Sequence, residues 1–320
     1  MPSNIQTLLT TSAAETTRRL PYPALVHHLA ALLADPTVQV PQRLVVPLAG
    51  GASLFVMPAL DQHTAITKLI TFTPANAATG RPAIQGDVLV FDVPTGERRL
   101  LLDGPVLTAR RTAAVTALAA MHLATCPTGP ALIVGAGVQG TAHLEAFAEM
   151  LGVRSFYIAS RSLGSPANAQ RLALHAESLG LQAQVVTDAN AALADSPLAV
   201  TCTPARHIAL AGQPRSDAFI AAVGAFTPAM AELHPDLCRY LALHGRVVLD
   251  TPDAAHEAGD LLQAGLNVAS FASLADVMRA SAAPTAGPVL FKSCGWAGWD
   301  LAAARCALAQ GNQGLQASCA

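Results

Sequence analysis

A short apolar run that leads directly into closely spaced glycines restricts the fold of this chain more than any other feature. Residues 131–134 are Ala-Leu-Ile-Val, a composition typical of a buried parallel strand, and the pattern G-x-G-x-x-G follows at once. Apolar residues at helical spacing over 141–151 and a β-forming run over 155–159 predict a helix and a second strand. This order of elements is typical of a dinucleotide-binding unit.

The glycine loop is predicted to hold a pyrophosphate. Gly135 permits the tight turn, Gly137 lets backbone N–H groups approach the phosphates, and Gly140 lets the helix lie close to the strand. Val138 and Gln139 complete the predicted cofactor-binding loop, where the positive end of the helix faces the anion. A glycine turn that binds nothing is the alternative, and the surrounding strands and helix disfavour it.

The residues after the second strand distinguish the two nicotinamide cofactors. NAD sites place Asp or Glu about 20 residues past the glycines to bind the ribose 2′-hydroxyl, whereas NADP sites offer Arg to the 2′-phosphate. This chain has Ser160, Arg161 and Ser162 there, with no carboxylate. We therefore expect NADPH as the cofactor, with NADH bound more weakly. The alternative is that Arg161 is a solvated loop residue.

The chain carries little charge for its length. Of its 320 residues, 52% are hydrophobic and 12% are charged, and the formal net charge is -2. No basic stripe with aromatic residues is present, so nucleic acid is not an expected partner. No apolar run reaches the roughly 18 residues of a membrane helix, and no secretory signal is visible, so we expect a cytoplasmic protein without a membrane partner. The six cysteines lack metal-binding spacing, so no metal is expected.

Two patterns of secondary structure follow one another and predict two domains in an α/β fold. Before residue 108, short strands and one helix predict a mostly antiparallel sheet, the core of a smaller α+β domain. After it, alternating strands and helices predict a Rossmann-type, doubly wound parallel sheet. The predicted helices are 22–33, 108–124 with Thr108 as N-cap, 141–151, 167–179 and 301–309. The predicted strands are 43–46, 53–57, 64–71, 88–92, 98–102, 131–134, 155–159, 183–186, 198–201, 219–223 and 246–250.

Three basic side chains stand among apolar or helical residues, where a charge is costly unless it is used. Arg43 begins a predicted strand, Lys68 lies within the mainly apolar run 66–70, and Arg111 lies on the predicted helix 108–124. Arg110 is adjacent to Arg111, and successive helical residues point about 100° apart, so we expect one of the two to face a ligand. Converging cations suit a carboxylate ligand. Ion pairs or snorkelling side chains are the alternatives.

Further cofactor contacts are predicted at the ends of two parallel strands. In doubly wound sheets, ligands bind beyond the carboxyl ends of the strands. The predicted strands 198–201 and 219–223 end in Thr-Cys-Thr and Ala-Val-Gly segments. The residues expected to line the cofactor there are Thr201, Cys202, Thr203, Val223 and Gly224.

Over nearly its whole length the chain resembles the ornithine cyclodeaminase/μ-crystallin family. The resemblance rests on several separated motifs, which together are far more specific than the glycine loop. They are Ile-Thr-Lys at 66–68, Pro-Ala-Asn at 74–76, Gly80, Leu-Thr-Ala-Arg-Arg-Thr-Ala-Ala at 107–114, the glycine loop at 134–140, Ala-Val-Gly at 222–224, Glu-Leu at 232–233, Phe-Lys-Ser at 291–293, Gly-Trp-Ala at 295–297, and Asp300.

The resemblance implies a homodimer with two domains per chain. A substrate-binding and dimerisation domain would comprise residues 1–112 with 300–320, and an NAD(P)-binding domain residues 113–299. It also implies that three cations grip a substrate carboxylate, with Lys68 near the reacting nitrogen as the catalytic residue. The other two substrate-binding cations are Arg43 and Arg111. Two residues of the shared motifs are assigned to the cofactor, namely Thr112 and Ser293.

One departure from the family pattern bears on the reaction. Cyclodeaminases of the family carry an aspartate two residues after the Val-Gly motif and a lysine four positions further on, where this chain has Phe226 and Met230. Ornithine cyclodeamination is therefore not expected, because its evident base is missing.

The resemblance then implies the ketimine reductase branch. Its reaction would be the NADPH-dependent reduction of a small cyclic imino acid, Δ1-pyrroline-2-carboxylate to L-proline or Δ1-piperideine-2-carboxylate to L-pipecolate. Phe226 would form an apolar wall beside the substrate ring. Two alternatives stay open: a dehydrogenase of open-chain alanine or N-alkyl amino acids, and a crystallin-like protein that binds NADPH without turnover.

Overall fold

The computed structural model describes residues 9–160, 166–205, 207–280 and 287–317. The described helices are α1 (Ala13–Arg18), α2 (Tyr22–Leu33), α3 (Gly104–Leu123), α4 (Val138–Leu151), α5 (Pro166–Ser178), α6 (Ala189–Asp195), α7 (Pro235–His244), α8 (Gly259–Gln263), α9 (Leu274–Ala280) and α10 (Ala297–Ala317). The described strands are β1 (Leu9–Thr10), β2 (Leu44–Pro47), β3 (Ser53–Leu60), β4 (Thr64–Phe72), β5 (Ile84–Asp92), β6 (Arg98–Asp103), β7 (Ala131–Val134), β8 (Ser155–Ala159), β9 (Gln182–Val186), β10 (Leu198–Thr201), β11 (Phe219–Ala222), β12 (Arg246–Leu249), β13 (Ala272–Ser273) and β14 (Val289–Lys292).

The chain divides into two compact units. Unit 1 contains the described residues of Met1–Arg111 and Ala297–Ala320, and unit 2 those of Thr112–Trp296. The division falls within α3, between Arg111 and Thr112.

Unit 1 is built on a six-stranded sheet in the order β1-β6-β5-β4-β3-β2. Its strands pair antiparallel, apart from the parallel pair of β1 with β6. Along β4, residues Thr64, Ile66, Lys68 and Ile70 are buried and the residues between them are more exposed, because successive side chains of a strand point to opposite faces. The inward face packs on α10, which also contacts α2.

The helix that crosses the unit boundary begins earlier than predicted. It starts at Gly104, because the Asp103 carboxylate accepts a hydrogen bond from the Val106 N–H at 2.8 Å and Pro105 suits the first turn. Thr108 is buried inside the helix, so the prediction of Thr108 as the N-cap was wrong.

The C-terminal helix is longer than the predicted segment 301–309. It runs over Ala297–Ala317 and therefore includes three glycines, a residue type that helix propensity disfavours inside a helix. They are Gly298, Gly311 and Gly314.

Unit 2 is a parallel sheet in the order β13-β12-β14-β11-β10-β7-β8-β9. From β7 the chain proceeds outward through β8 and β9, then returns to place β10 on the other side of β7. This reversal is the topological switch point at which doubly wound sheets bind ligands. The predicted α/β fold, a Rossmann-type sheet with a smaller α+β unit, is confirmed.

The central strands of unit 2 are buried at every position. This holds for β7, β10, β11 and β14, as expected where helices cover both faces of a parallel sheet. In the described part of the chain, no helix is both long enough and apolar enough to cross a bilayer.

Candidate active site

Two of the predicted substrate-binding cations meet on one carboxylate in unit 1. Lys68 Nζ lies 2.7 Å from Asp300 Oδ2, and Arg111 Nε donates a hydrogen bond to Asp300 Oδ1 at 3.0 Å. The exposed fractions of Lys68, Arg111 and Asp300 are 1%, 5% and 0%. Loss of Asp300 would leave two buried cations without their carboxylate, so the positions of both cations depend on that one acid.

The register of the sheet explains why Lys68 is buried. Lys68 lies on the inward face of β4, with Met57 of β3 and Val88 of β5 as its cross-strand neighbours. An ammonium group among such side chains is costly unless it is paired. Asp300, in the first turn of α10, supplies the carboxylate because α10 packs against β3 and β4.

The cluster of Lys68, Arg111 and Asp300 keeps a positive charge. Two cations share one carboxylate, so the three side chains together carry one net positive charge. Burial lowers the pKa of Lys68 to about 8, and the nearby charges of Arg111 and Arg43 add to this effect while Asp300 opposes it. An anionic ligand would relieve the repulsion among the cations, as a carboxylate does with arginine.

Arg43 lies at the edge of this group. It directly precedes β2, which begins at Leu44 and not at Arg43 as predicted. Its guanidinium carbon is 5.9 Å from the centre of the Phe55 ring, and the residue is half-buried. The positive charge of Arg43 repels the ammonium group of Lys68 and so lowers the pKa of Lys68.

Arg110 is turned away from the cluster. Its Nε donates to the Leu20 carbonyl oxygen at 2.8 Å, and its guanidinium carbon lies 4.0 Å from the centre of the Tyr22 ring. These contacts give Arg110 a structural role in the core of unit 1. Of the two neighbouring arginines, Arg111 is the one that contacts Asp300.

Asp300 is the site residue that sequence reasoning did not assign. In the sequence it stands out only as a member of a family motif. The signal was nonetheless present, since Asp300 is an acid between Trp299 and the run Leu-Ala-Ala-Ala at 301–304, all of them buried. An isolated acid in an apolar helix requires a cation for the same reason that Lys68 requires an anion.

The glycine loop of unit 2 has the geometry that a pyrophosphate requires. A side chain at Gly135, whose φ is +118°, would collide with the Cys202 carbonyl, and one at Gly140 would collide with the Gly135 carbonyl. At Gly137, by contrast, a Cβ would meet no atom of the described protein within 4 Å. The first and third glycines therefore serve packing, whereas the second faces open space.

The start of α4 also fits an anion. Gly137 is its N-cap and provides no side-chain hydrogen bond to the first backbone N–H groups of the helix. Val138 is exposed, and the side-chain oxygen of Gln139 is buried without a hydrogen-bond partner among the described residues. The residues present thus fit the phosphates of a nicotinamide dinucleotide.

The residues predicted at the strand ends differ in accessibility. Thr201 is fully buried, and its hydroxyl donates to Glu232 at 3.0 Å. The thiol of the half-buried Cys202 donates to the Gly135 carbonyl oxygen at 3.2 Å, and burial raises the pKa of this thiol, which disfavours the reactive thiolate. The remaining members, all half-buried, are Thr203, Val223 and Gly224.

Two other predicted cofactor residues have buried side chains. Thr112 accepts a hydrogen bond at its carbonyl from the Thr116 hydroxyl at 3.1 Å. The Ser293 hydroxyl donates to Asp250 Oδ2 at 2.8 Å, which leaves only its lone pairs for a further hydrogen bond.

Two more predicted residues, Phe226 and Ser160, lie in loops of unit 2. Phe226 is half-buried and packs on the apolar core of that unit. Ser160 follows β8 and is half-buried, while Arg161 lies outside the described residues.

We predict that Gly137→Ala weakens dinucleotide binding without loss of stability. The backbone at Gly137 is extended, with φ −94° and ψ −164°, and an added methyl group would point into open space. We expect the Kd for NADPH to rise at least about tenfold while Tm stays within about 2 °C. Fluorescence titration and thermal unfolding measure the two quantities.

Gly140→Ala provides the matched comparison. Its methyl group would collide with the Gly135 carbonyl, so we expect a loss of stability of about 1–3 kcal/mol as well as weaker binding. Wild-type affinity in Gly137→Ala would show that the open space at Gly137 does not receive the ligand.

Comparison with known proteins identifies close relatives along most of the chain. It is 40% identical over 301 residues to Delta(1)-pyrroline-2-carboxylate reductase 2 of Burkholderia ambifaria, a match that covers 92% of this chain and 93% of the relative. It is 39% identical over 301 residues to the Delta(1)-pyrroline-2-carboxylate/Delta(1)-piperideine-2-carboxylate reductase of Azospirillum brasilense, with the same coverage.

The fold is shared with solved structures. The Thermococcus litoralis Delta(1)-pyrroline-2-carboxylate reductase, solved in complex with NADH and L-proline, superimposes with a TM-score of 0.88 at 23% identity, over 96% of this chain and 98% of that one. The profile of the ornithine cyclodeaminase/mu-crystallin family matches residues 10–311. The chain therefore belongs to the ornithine cyclodeaminase/mu-crystallin family, and within it is an oxidoreductase.

Proposed function

We propose that this protein reduces cyclic ketimine carboxylates with NADPH, converting Δ1-pyrroline-2-carboxylate to L-proline and Δ1-piperideine-2-carboxylate to L-pipecolate. The observation that carries the proposal is the buried cluster in which Lys68 and Arg111 share Asp300. Relatives about 40% identical over most of the chain are reductases of these imines, which supports the same substrate class here.

The cations of unit 1 would bind the substrate carboxylate. The net positive charge of the cluster favours an anion, and arginine offers a carboxylate two parallel hydrogen bonds. Arg111 is held in place by its bond to Asp300, and Arg43 adds a second guanidinium close enough to influence Lys68. Both side chains thus orient the ring by its acid group.

Lys68 would supply the proton that the reduced nitrogen needs. Reduction of a C=N bond adds a hydride to the carbon and a proton to the nitrogen. With a pKa of about 8, Lys68 is mostly protonated at neutral pH yet releases a proton more readily than an ordinary lysine. Its bond to Asp300 holds the ammonium group at a defined position.

Unit 2 would hold the nicotinamide cofactor, which supplies the hydride when bound. The glycine loop with Val138 and Gln139 would bind the pyrophosphate, and the residues at the ends of β10, β11 and β14 would face the nicotinamide half. Preference for NADPH is supported by Arg161, which follows Ser160 where NAD sites carry an acid.

Phe226 and Met230 support imine reduction over cyclodeamination. Both are apolar and stand where cyclodeaminases carry an acid and a lysine. Phe226 packs on the apolar core of unit 2 and is half-buried. It would therefore contact the methylene groups of the substrate ring, and it offers no base.

Steady-state rates with two imines and two cofactors test the proposal. We expect oxidation of NADPH with both cyclic imines at a kcat/KM at least about 100-fold above that for pyruvate with ammonia or methylamine, because a preformed ring imine needs no condensation step. NADPH should also be preferred to NADH. Faster turnover of the open-chain substrates, or NADPH binding without oxidation by any imine, would contradict it.

We further predict that Asp300→Asn shifts the alkaline limb of the pH profile. Asp300 raises the pKa of Lys68 against the effect of burial, so its loss lowers that pKa further below about 8. The kcat/KM of the wild type should fall as the pH rises through about 8, because Lys68 loses its proton. In Asp300→Asn the fall should begin about one pH unit or more lower.

Lys68→Arg is the control for this assignment, since arginine stays charged throughout the range. Its residual activity should show no decline near pH 8. A limb at the same pH in the wild type and in both variants would assign it to a group other than Lys68.

We also propose that two copies of the chain associate through the outward face of the unit 1 sheet. Leu44, Val56 and Leu69 are in register across β2, β3 and β4, and Leu44 and Leu69 are 58% and 49% exposed in the single chain. A row of apolar side chains on one face is typical of a subunit interface.

Leu69→Glu should convert the dimer into a monomer, because it places a charge in this row. Light scattering measures the mass of each species. Leu243→Glu, at a 78% exposed leucine of α7, is the matched control and should leave the mass unchanged. A monomeric wild type, or a dimer that persists in Leu69→Glu, would refute the interface.

A further inference from the structure

A buried charged network lies at the carboxyl ends of the unit 2 strands and is not used by the proposed reaction. Its members are Glu232, Asp260 and Lys292, each with an exposed fraction of 0%. Glu232 precedes α7, Asp260 lies on α8 and Lys292 ends β14. Burying three charged groups is costly, so their arrangement requires a reason beyond packing.

Glu232 accepts four hydrogen bonds from residues at the ends of two strands. Its Oε1 accepts from the Thr203 N–H at 2.6 Å and from the Thr203 hydroxyl at 2.8 Å. Its Oε2 accepts from the Thr201 hydroxyl at 3.0 Å and from the Gly224 N–H at 2.6 Å. One carboxylate thus ties the end of β10 to the loop that follows β11.

Asp260 and Lys292 hold Glu232 in place. Asp260 Oδ1 accepts from the backbone N–H groups of Glu232 and Leu233 at 2.6 and 2.9 Å. Lys292 Nζ lies 2.8 Å from Asp260 Oδ2 and donates to two backbone carbonyls near the end of β11. The ammonium group is therefore held by one ion pair and two hydrogen bonds.

The loops after β10 and β11 pack tightly against each other at Gly224. A side chain at Gly224 would collide with the Thr203 carbonyl and with the Glu232 carboxylate. The two loops therefore approach each other closely, and the Glu232 carboxylate accepts a backbone N–H from each of them. Because β10 and β11 lie on one side of the switch point and β8 and β9 on the other, these loops serve the half of a dinucleotide opposite the adenosine.

We propose that Glu232 is a positioning residue that fixes the loops after β10 and β11 for the nicotinamide half of the cofactor. The proposal depends only on dinucleotide binding by unit 2, and not on the identity of the imine. Burial raises the pKa of Glu232 while Lys292 and the hydrogen bonds from Thr203 oppose that effect.

Glutamine cannot replace Glu232 in this arrangement. Each carboxylate oxygen accepts one backbone N–H, from Thr203 at Oε1 and from Gly224 at Oε2. The amide group of a glutamine would face one of these donors in either orientation. A buried N–H would then lose its acceptor, and the loop that carries it would move.

The test compares the whole cofactor with a fragment that lacks nicotinamide. Fluorescence or calorimetric titration gives the Kd of NADPH and of 2′-phospho-ADP-ribose for the wild type and Glu232→Gln, without any imine present. We expect Glu232→Gln to raise the Kd of NADPH at least about tenfold and that of the fragment by less than about twofold. Equal weakening of both ligands, or no change in either, would overturn the proposal.

Two further variants keep the test decisive. Glu149→Gln, at an exposed position of α4, is the matched control and should bind both ligands as the wild type does. Thr201→Val keeps the shape of a fully buried side chain but removes one hydrogen bond to Glu232, so it should raise the Kd of NADPH about threefold and leave the fragment unaffected. If Glu232→Gln does not fold, an unchanged NADPH Kd in Thr201→Val overturns the proposal.

Discussion

The cost of burying charge organises unit 1. A lysine on the buried face of β4 can persist only if the fold places a carboxylate beside it, and α10 provides Asp300. The same carboxylate also fixes Arg111, so one acid sets the positions of two cations. The remaining positive charge favours an anionic ligand, and the proposed substrate site rests on that excess.

Unit 2 also buries charged side chains, but there the carboxylates outnumber the cation. Two carboxylates, Glu232 and Asp260, surround one ammonium group, Lys292, and backbone N–H groups replace the missing cations. In unit 1 the unbalanced charge favours a ligand, whereas in unit 2 it is satisfied internally and fixes the backbone. A chain with only 12% charged residues thus places several of them where water is excluded, for two different purposes.

The sequence predicts well what depends on local pattern. The helix 22–33 and the strands 155–159 and 198–201 agree with the structure because periodicity and flanking breakers define them. The helix start at Gly104 was not predicted, because Thr108 is a common N-cap residue type and stands directly before the alanine-rich run. The residue that caps the helix, Asp103, lies five positions earlier, at the end of β6. Lys68 and Arg111 were predicted as site residues because a cation among apolar neighbours can be recognised from the local sequence alone.

Partners brought together by tertiary structure were not predictable in this way. Arg111 and Asp300 are separated by 189 positions, and nothing local to either residue identifies the other. Glu232 illustrates the same limit, because its role is set by donors from two distant strand ends. An acid within an apolar segment shows that a counter-charge exists, but the fold decides which residue provides it.

The placement of Asp300 on α10 has a consequence for the order of assembly. Lys68 and Arg111 leave the ribosome early, whereas their shared anion emerges only after all of unit 2 has been made. Without α10 the two cations lack their carboxylate, and burying them unpaired would be costly. The buried core of unit 1 is therefore complete only with α10, although the rest of that unit precedes unit 2 in the chain.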